Sequence, residues 1–317
     1  MTIDISFLPQ CKRLSLLVKK RITSTMAGSR PSIAKGRGLT ITDYRPYTKG
    51  DDLRYLDWKL YARTDKDYIK LYEEDRSLTV HIILDRSTSM DFGGKTTKFE
   101  YGAMLGLAYV YLTLRNNDKF VFSTFAEDLT FLRPQKGASQ LVSIVDNLKQ
   151  VKVKGESRFE YSMRKYKELI HSRCIVIIIS DFLISAEEIR KGLMRLGRKN
   201  EVKIIQVLDR DEVDLKIEGD VNLHDAESNT VLRTYISKRL RQTYQGKLNE
   251  HTQQLHDICN KAGAHFHQVV TDVDVFENFY RIVRMLSINF IKLRFHHFLC
   301  SSSLQVIHGF APCCLTS

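Results

Sequence analysis

Three short, predominantly apolar runs constrain this chain most: Val80 to Leu84, Cys174 to Ile179 and Val202 to Leu208. Runs of this length, rich in β-branched residues, read as strands buried on both faces. Segments with helical periodicity lie between and after them, at about 98–115, 138–149, 159–171 and 186–196. Further strands are predicted at Lys119 to Phe125 and, past a tight turn at Glu127-Asp128, at Leu129 to Arg133. A long helix from about Ser237 to Ala262 leads to a last strand, His265 to Val270, and a final helix near 275–290. Strands alternating with helices imply an α/β fold, a doubly wound and mostly parallel sheet with helices on both faces.

Residues 214–236 interrupt the alternation with short polar-apolar stretches and read as a β-hairpin insertion. The expected organisation is an N-terminal region over 1–78, the α/β domain over 79–291 and a tail over 292–317. Within the first region, 1–28 reads as largely helical, 29–50 as loop and 67–73 as extended. The tail lies outside the main fold: it has no clear periodicity, and no acidic residue follows Glu277.

No apolar stretch approaches the roughly 20 residues a membrane-spanning helix needs. Met1 to Gln10 lacks a basic stretch followed by an apolar one, so no signal peptide is read there and the cytoplasm is the expected compartment. Six cysteines contain no CxxC pair, which argues against a zinc site or a disulfide framework. The formal charge is +12, and residues 1–40 carry eight Lys/Arg against one Asp. Such an arm can touch nucleic acid, but Lys12, Arg13, Lys19, Lys20 and Arg21 interleave with Leu14, Leu16, Leu17, Val18 and Ile22 as on a solvated amphipathic helix. The solvated face is the preferred reading.

The chemistry concentrates where apolar runs end. Asp85 closes the first run and is followed by Ser87 and Ser89; Asp181 follows the second run after Ser180. Ligands of doubly wound sheets bind at the carboxyl ends of strands. Two carboxylates with Ser87, Ser89 and a further hydroxyl from Ser157 supply hard oxygen donors that suit Mg²⁺, with Mn²⁺ or Ca²⁺ as substitutes. The same aspartates could instead cap the helices that follow them. His265-Phe266-His267 places two imidazoles on one side of a strand, but no carboxylate or cysteine accompanies them. Gly93-Gly94-Lys95-Thr96 has the end of a phosphate-binding loop without its earlier glycine.

Leu84 to Met90 resembles the metal-ion-dependent adhesion site of von Willebrand factor A domains. Gly155-Glu156-Ser157 resembles that fold's Gly-x-Thr loop, with serine in place of threonine, and Asp181 matches the last ligand. Upstream, the string from Asp43 to Arg63, containing Arg45, Gly50, Asp51, Asp52, Arg54, Asp57, Trp58 and Arg63, resembles the signature of DUF58 proteins. The two resemblances imply a von Willebrand factor A-like domain behind a small N-terminal region. They also imply Asp85, Ser87, Ser89, Ser157 and Asp181 as metal ligands, and an adaptor role beside a MoxR-type AAA+ ATPase. In the signature, Arg54, Asp57 and Arg63 are expected to form a charge network anchored by Trp58, docking the segment internally.

The leading expectation is therefore a non-catalytic interaction module that takes an Asp or Glu of a protein partner onto its cation. Two alternatives belong to other classes. A Mg²⁺-dependent phosphatase also starts from a strand-terminal aspartate, but it uses Asp-x-Asp, and Ser87 stands at the second position. Nucleic-acid binding through the N-terminal arm is the other, and it would be strongly salt-dependent.

Overall fold

The computed structural model describes residues 3–11, 39–49, 51–74, 79–116, 118–131, 139–170, 172–197, 199–215, 219–224 and 231–284. Expectations for 12–38, for Gly50 and for 285–317 lie outside the described residues.

Two strands, β1 (Leu39–Pro46) and β2 (Tyr68–Glu74), pair antiparallel near the N-terminus. Between them stand a 3₁₀ turn (Leu53–Tyr55) and helix α1 (Trp58–Thr64). The main sheet contains β3 (Thr79–Asp85), β4 (Lys119–Phe125), β5 (Leu129–Phe131), β6 (Ile175–Ser180), β7 (Glu201–Leu208) and β10 (His265–Val270). Its spatial order is β10-β7-β6-β3-β4-β5. Every neighbouring pair is parallel except β4 with the short edge strand β5. The hairpin insertion is present as β8 (Gly219–His224) against β9 (Val231–Ile236).

Helices α2 (Lys98–Arg115), α3 (Ser139–Gln150), α4 (Phe159–Lys167), α5 (Ala186–Leu196), α6 (Arg210–Val213), α7 (Lys238–Ala262) and α8 (residues 275–284) complete the chain. The period-two alternation of each central strand divides the core in two. Ile82, Leu84, Ile177 and Ile179 face the side covered by α2, whereas Ile83, Val176 and Ile178 face the side covered by α4 and α5. Fully burying one such side chain contributes roughly 1.5–3 kcal/mol.

Helix α2 lies close to the sheet because Gly102 and Gly106 present no side chain to it. A Cβ on either would come within 2.9 Å of Leu84 or Phe122. Its start is fixed by a capping box between Thr97 and Glu100. Ile3, Phe7, Leu8 and Cys11 of the N-terminal segment pack into the α2 side of the core, so this part of the 1–78 region contributes to the α/β body.

Candidate metal centre at the ends of β3 and β6

β3 lies between β4 and β6, and this is where the strand order reverses. Such a switch point opens a crevice at the carboxyl ends of the strands. The register pairs Leu84 with Ile179, so Asp85 and Ser180 leave their strands at the same level. Asp85 is fully buried. Its Oδ1 accepts the Ser87 amide at 2.8 Å, and its Oδ2 accepts the hydroxyls of Ser157 at 2.9 Å and Ser180 at 2.7 Å. The Ser87 and Ser89 hydroxyls lie 3.1 Å apart. The structure thus brings Asp85, Ser87, Ser89 and Ser157 together.

Burial, and then the nearby Asp181 carboxylate, push the Asp85 carboxyl up to about 6 despite the hydrogen bonds it accepts. Neither aspartate caps a helix. Asp85 and Asp181 each turn back to an amide two residues on, while α2 and α5 are capped by Thr97 and Ser185. That geometry removes the capping alternative.

The loop carrying Ser157 is fastened to the Asp85 loop by its backbone. The Thr88 amide donates to Gly155 O at 2.9 Å, the Gly155 amide donates to Thr88 Oγ1 at 2.9 Å, and the Lys154 amide donates to Arg86 O at 3.0 Å. Gly155 has φ +98°, a conformation L residues avoid. This turn aims Ser157 at Asp85, and serine suffices because the hydroxyl alone makes the contact.

Asp181 is held differently. Its Oδ2 lies 2.8 Å from the Lys98 ammonium, which also meets Glu212 Oε1 at 2.6 Å. Lys98 is fully buried. Burial works against its charge, but Asp181 and Glu212 outweigh that and hold the proton on above the ordinary lysine range. Glu212 is raised by burial, with Lys98 opposing. The Asp181 carbonyl accepts Gln206 Nε2 at 3.0 Å. Lys98, Glu212 and the Ser180 hydroxyl are site residues that sequence reasoning missed. One signal for Lys98 was available: a lysine at the first position of a helix opposes the macrodipole and needs a local anion.

The donor set is two strand-terminal carboxylates and several hydroxyls. Among the described residues no group of three or more His, Cys, Asp or Glu forms a metal cluster. Nor does any Lys, Arg or His among them pair with Asp85. A buried carboxylate needs a compensating charge. An all-oxygen site with few carboxylates suits Mg²⁺ better than a soft metal. The residues present therefore fit the cation.

A model of the family described as "Protein of unknown function DUF58" matches residues 43–254. The chain belongs to the DUF58 family. Uncharacterized proteins of Mycobacterium tuberculosis (Rv1480) and Mycobacterium bovis (Mb1516) are each 26% identical to it over 277 residues, covering 86% of this chain and 87% of each relative. Among solved structures, the conserved hypothetical protein BatB from Bacteroides thetaiotaomicron is similar at 17% identity and a TM-score of 0.43, covering 66% of this chain and 97% of that one. A von Willebrand factor type A protein from Catenulispora acidiphila is similar at 9% identity and a TM-score of 0.40, covering 69% and 43%.

The DUF58 signature segment folds by local contacts. Arg45 clamps Asp51 through two 2.7 Å hydrogen bonds, and Asp51 also accepts the Thr48 amide and hydroxyl. Asp52 caps the 3₁₀ turn and pairs with Arg54 at 2.8 Å. Asp57 caps α1 by accepting the Lys59 and Leu60 amides. Arg63 folds back to the Lys59 carbonyl of its own helix. Among the described contacts, Arg54 pairs with Asp52 and Arg63 with the Lys59 carbonyl, and neither meets Asp57 as the expected network required. Trp58 is not the apolar anchor: it is 62% exposed and meets Tyr61 edge-on. Leu56 and Ile69, bridged across the turn and both buried, take that place. Helix α1 buries none of its residues, and Trp58 is the first of them.

His265 and His267 are both lowered, chiefly by burial, His267 to about 4. Gly93 to Thr96 form the approach to α2, where a Cβ on Gly93 would meet the Thr96 carbonyl at 2.5 Å.

Proposed function

We propose that this DUF58 protein is a non-catalytic interaction module. Asp85, Ser87, Ser89 and Ser157 would hold a Mg²⁺ ion, with Asp181 beside it, and an Asp or Glu from a protein partner would complete the shell. When bound, the ion supplies positive charge that attracts and orients the partner's carboxylate. The observation that carries this reading is the fully buried Asp85, on which hydroxyls converge and no cationic side chain of the described residues pairs. The chain's own part is to keep Asp85 dry, to aim the Ser157 and Ser180 hydroxyls at it, and to hold Asp181 buried beside Lys98. Ser87 stands where such a phosphatase places its second aspartate, so the Asp-x-Asp arrangement is replaced by Asp-x-Ser.

Family membership supports a MoxR-type AAA+ ATPase as the class of partner, with assembly or maturation of other proteins as the process. The cytoplasm is the proposed compartment. Three buried free thiols, Cys11, Cys174 and Cys259, suit reducing conditions, and no helix among the described residues is long and apolar enough to cross a membrane.

The test is a pull-down with the full chain in Mg²⁺ and in EDTA, identifying what co-purifies. Capture of an ATPase in Mg²⁺, lost in EDTA and lost in Asp85→Ala, is expected. Equal capture by Asp85→Ala would refute the reading, and turnover of generic phosphoesters would move it to the hydrolases.

A further inference from the structure

The Lys98 ammonium reaches two carboxylates from two different strand ends. Asp181 follows β6, and Glu212 lies in α6, just past the end of β7. Glu212 is not a loose surface acid. Its Oε2 accepts the Asp209 amide at 2.9 Å in a capping box, which leaves Oε1 directed at Lys98. Lys98 itself is placed by the first turn of α2 under the Thr97–Glu100 capping box. Both ends of the bridge are thus fixed by local backbone geometry, and the ammonium is sealed from water. Its charge acts inside the protein, where screening is weak.

We infer that Lys98 is the internal counter-charge of the candidate cation site, and that it leaves a bound divalent ion attractive to a partner's carboxylate. The inference rests on the metal reading above. Asp85, Asp181 and Glu212 carry three negative charges, and Lys98 cancels one. The remaining two are what a divalent ion neutralises, so the loaded site is neutral. Without Lys98 the loaded site is left negative. It holds its ion more tightly and repels an incoming carboxylate. Without the Glu212 charge the loaded site is positive. It holds its ion less tightly and attracts a carboxylate more. Lys98 and Glu212 therefore trade ion affinity against partner affinity while touching neither.

The two affinities are read separately on the full chain. Mn²⁺ is titrated and followed by water-proton relaxation, and acetate is then titrated into the Mn²⁺-loaded protein. Lys98→Met is expected to bind Mn²⁺ about tenfold or more tighter and acetate correspondingly more weakly; Glu212→Gln, which keeps the shape and one of the two accepting oxygens, is expected to shift both in the opposite sense. A purely structural role for the bridge would weaken both ligands in both variants. If Lys98→Met does not fold, as judged by circular dichroism, the sign of the Glu212→Gln shifts decides alone. Folded variants within twofold of the parent for both ligands, or shifted in the same direction, overturn the inference. A parent protein that binds no Mn²⁺ overturns the metal reading itself, and the inference falls with it.

Discussion

The Ser180 hydroxyl donates to Asp85 Oδ2 at 2.7 Å and accepts the Phe182 amide at 3.0 Å, so one side chain ties the end of β3 to the turn that leaves β6. Phe182 follows with φ 51°, left-handed for a residue other than glycine, and fully buried. Ser180→Ala would leave a buried amide and one lone pair of a buried carboxylate unmatched. A loss of about 1–3 kcal/mol is expected, measured as a lower urea midpoint in EDTA. An unchanged midpoint would show that the hydroxyl is not holding the two strand ends together.

Gly155→Ala tests whether the serine loop is held by backbone conformation. At φ +98° the variant should lose about 1–2 kcal/mol. The added Cβ would also lie 3.1 Å from Glu127 Cγ. Glu127→Ala removes that contact, so stability recovered in the double variant would assign the cost to crowding. Persistence of the loss, the expected result, assigns it to the backbone.

His81 supplies the pH dependence. It is buried in β3, hydrogen-bonded through Nδ1 to Tyr166 Oη at 3.0 Å, and burial lowers it to about 4 from an ordinary value of 6.5. The folded state therefore prefers the neutral ring. Its stability contribution is complete above the unfolded value and is lost as pH falls from about 6.5 through about 4. Across that window the loss approaches roughly 1.4 kcal/mol per pH unit. His267 titrates in the same sense, so the informative quantity is a difference. Urea midpoints of His81→Leu should decline less steeply from pH 7 to 4 than those of the parent, and parallel slopes would count against this account.

Trp58 is the sole tryptophan and reports directly on the signature segment. Iodide should quench its fluorescence nearly as well as it quenches a free indole, and the emission should be that of a solvated ring. Trp58→Ala should change stability by no more than about 0.5 kcal/mol. Blue-shifted, protected emission would place the ring inside an interface instead.

The sheet was readable because the central strands are buried on both faces and so carry unbroken apolar runs; β10 and α5 occupy the residues assigned to them from pattern alone. The grouping of Asp85, Ser87 and Ser89 in the candidate site was readable because those residues share one loop. Lys98 and Glu212 were not, because their contact spans 114 residues and exists only once the strand order is known. Trp58 misled for a different reason. A lone tryptophan suggests burial, but α1 buries none of its residues, and the smaller Leu56 and Ile69 close the turn.

The switch point has a consequence for how this protein can be handled during synthesis. Asp85 meets Ser157 and Ser180 only across separations of 72 and 95 residues. A chain emerging from the ribosome displays the Asp-x-Ser-x-Ser loop long before it has the strand that completes it. A partner that docks here as proposed would therefore recognise a finished sheet, and would pass over nascent, truncated or misfolded copies that carry the same loop.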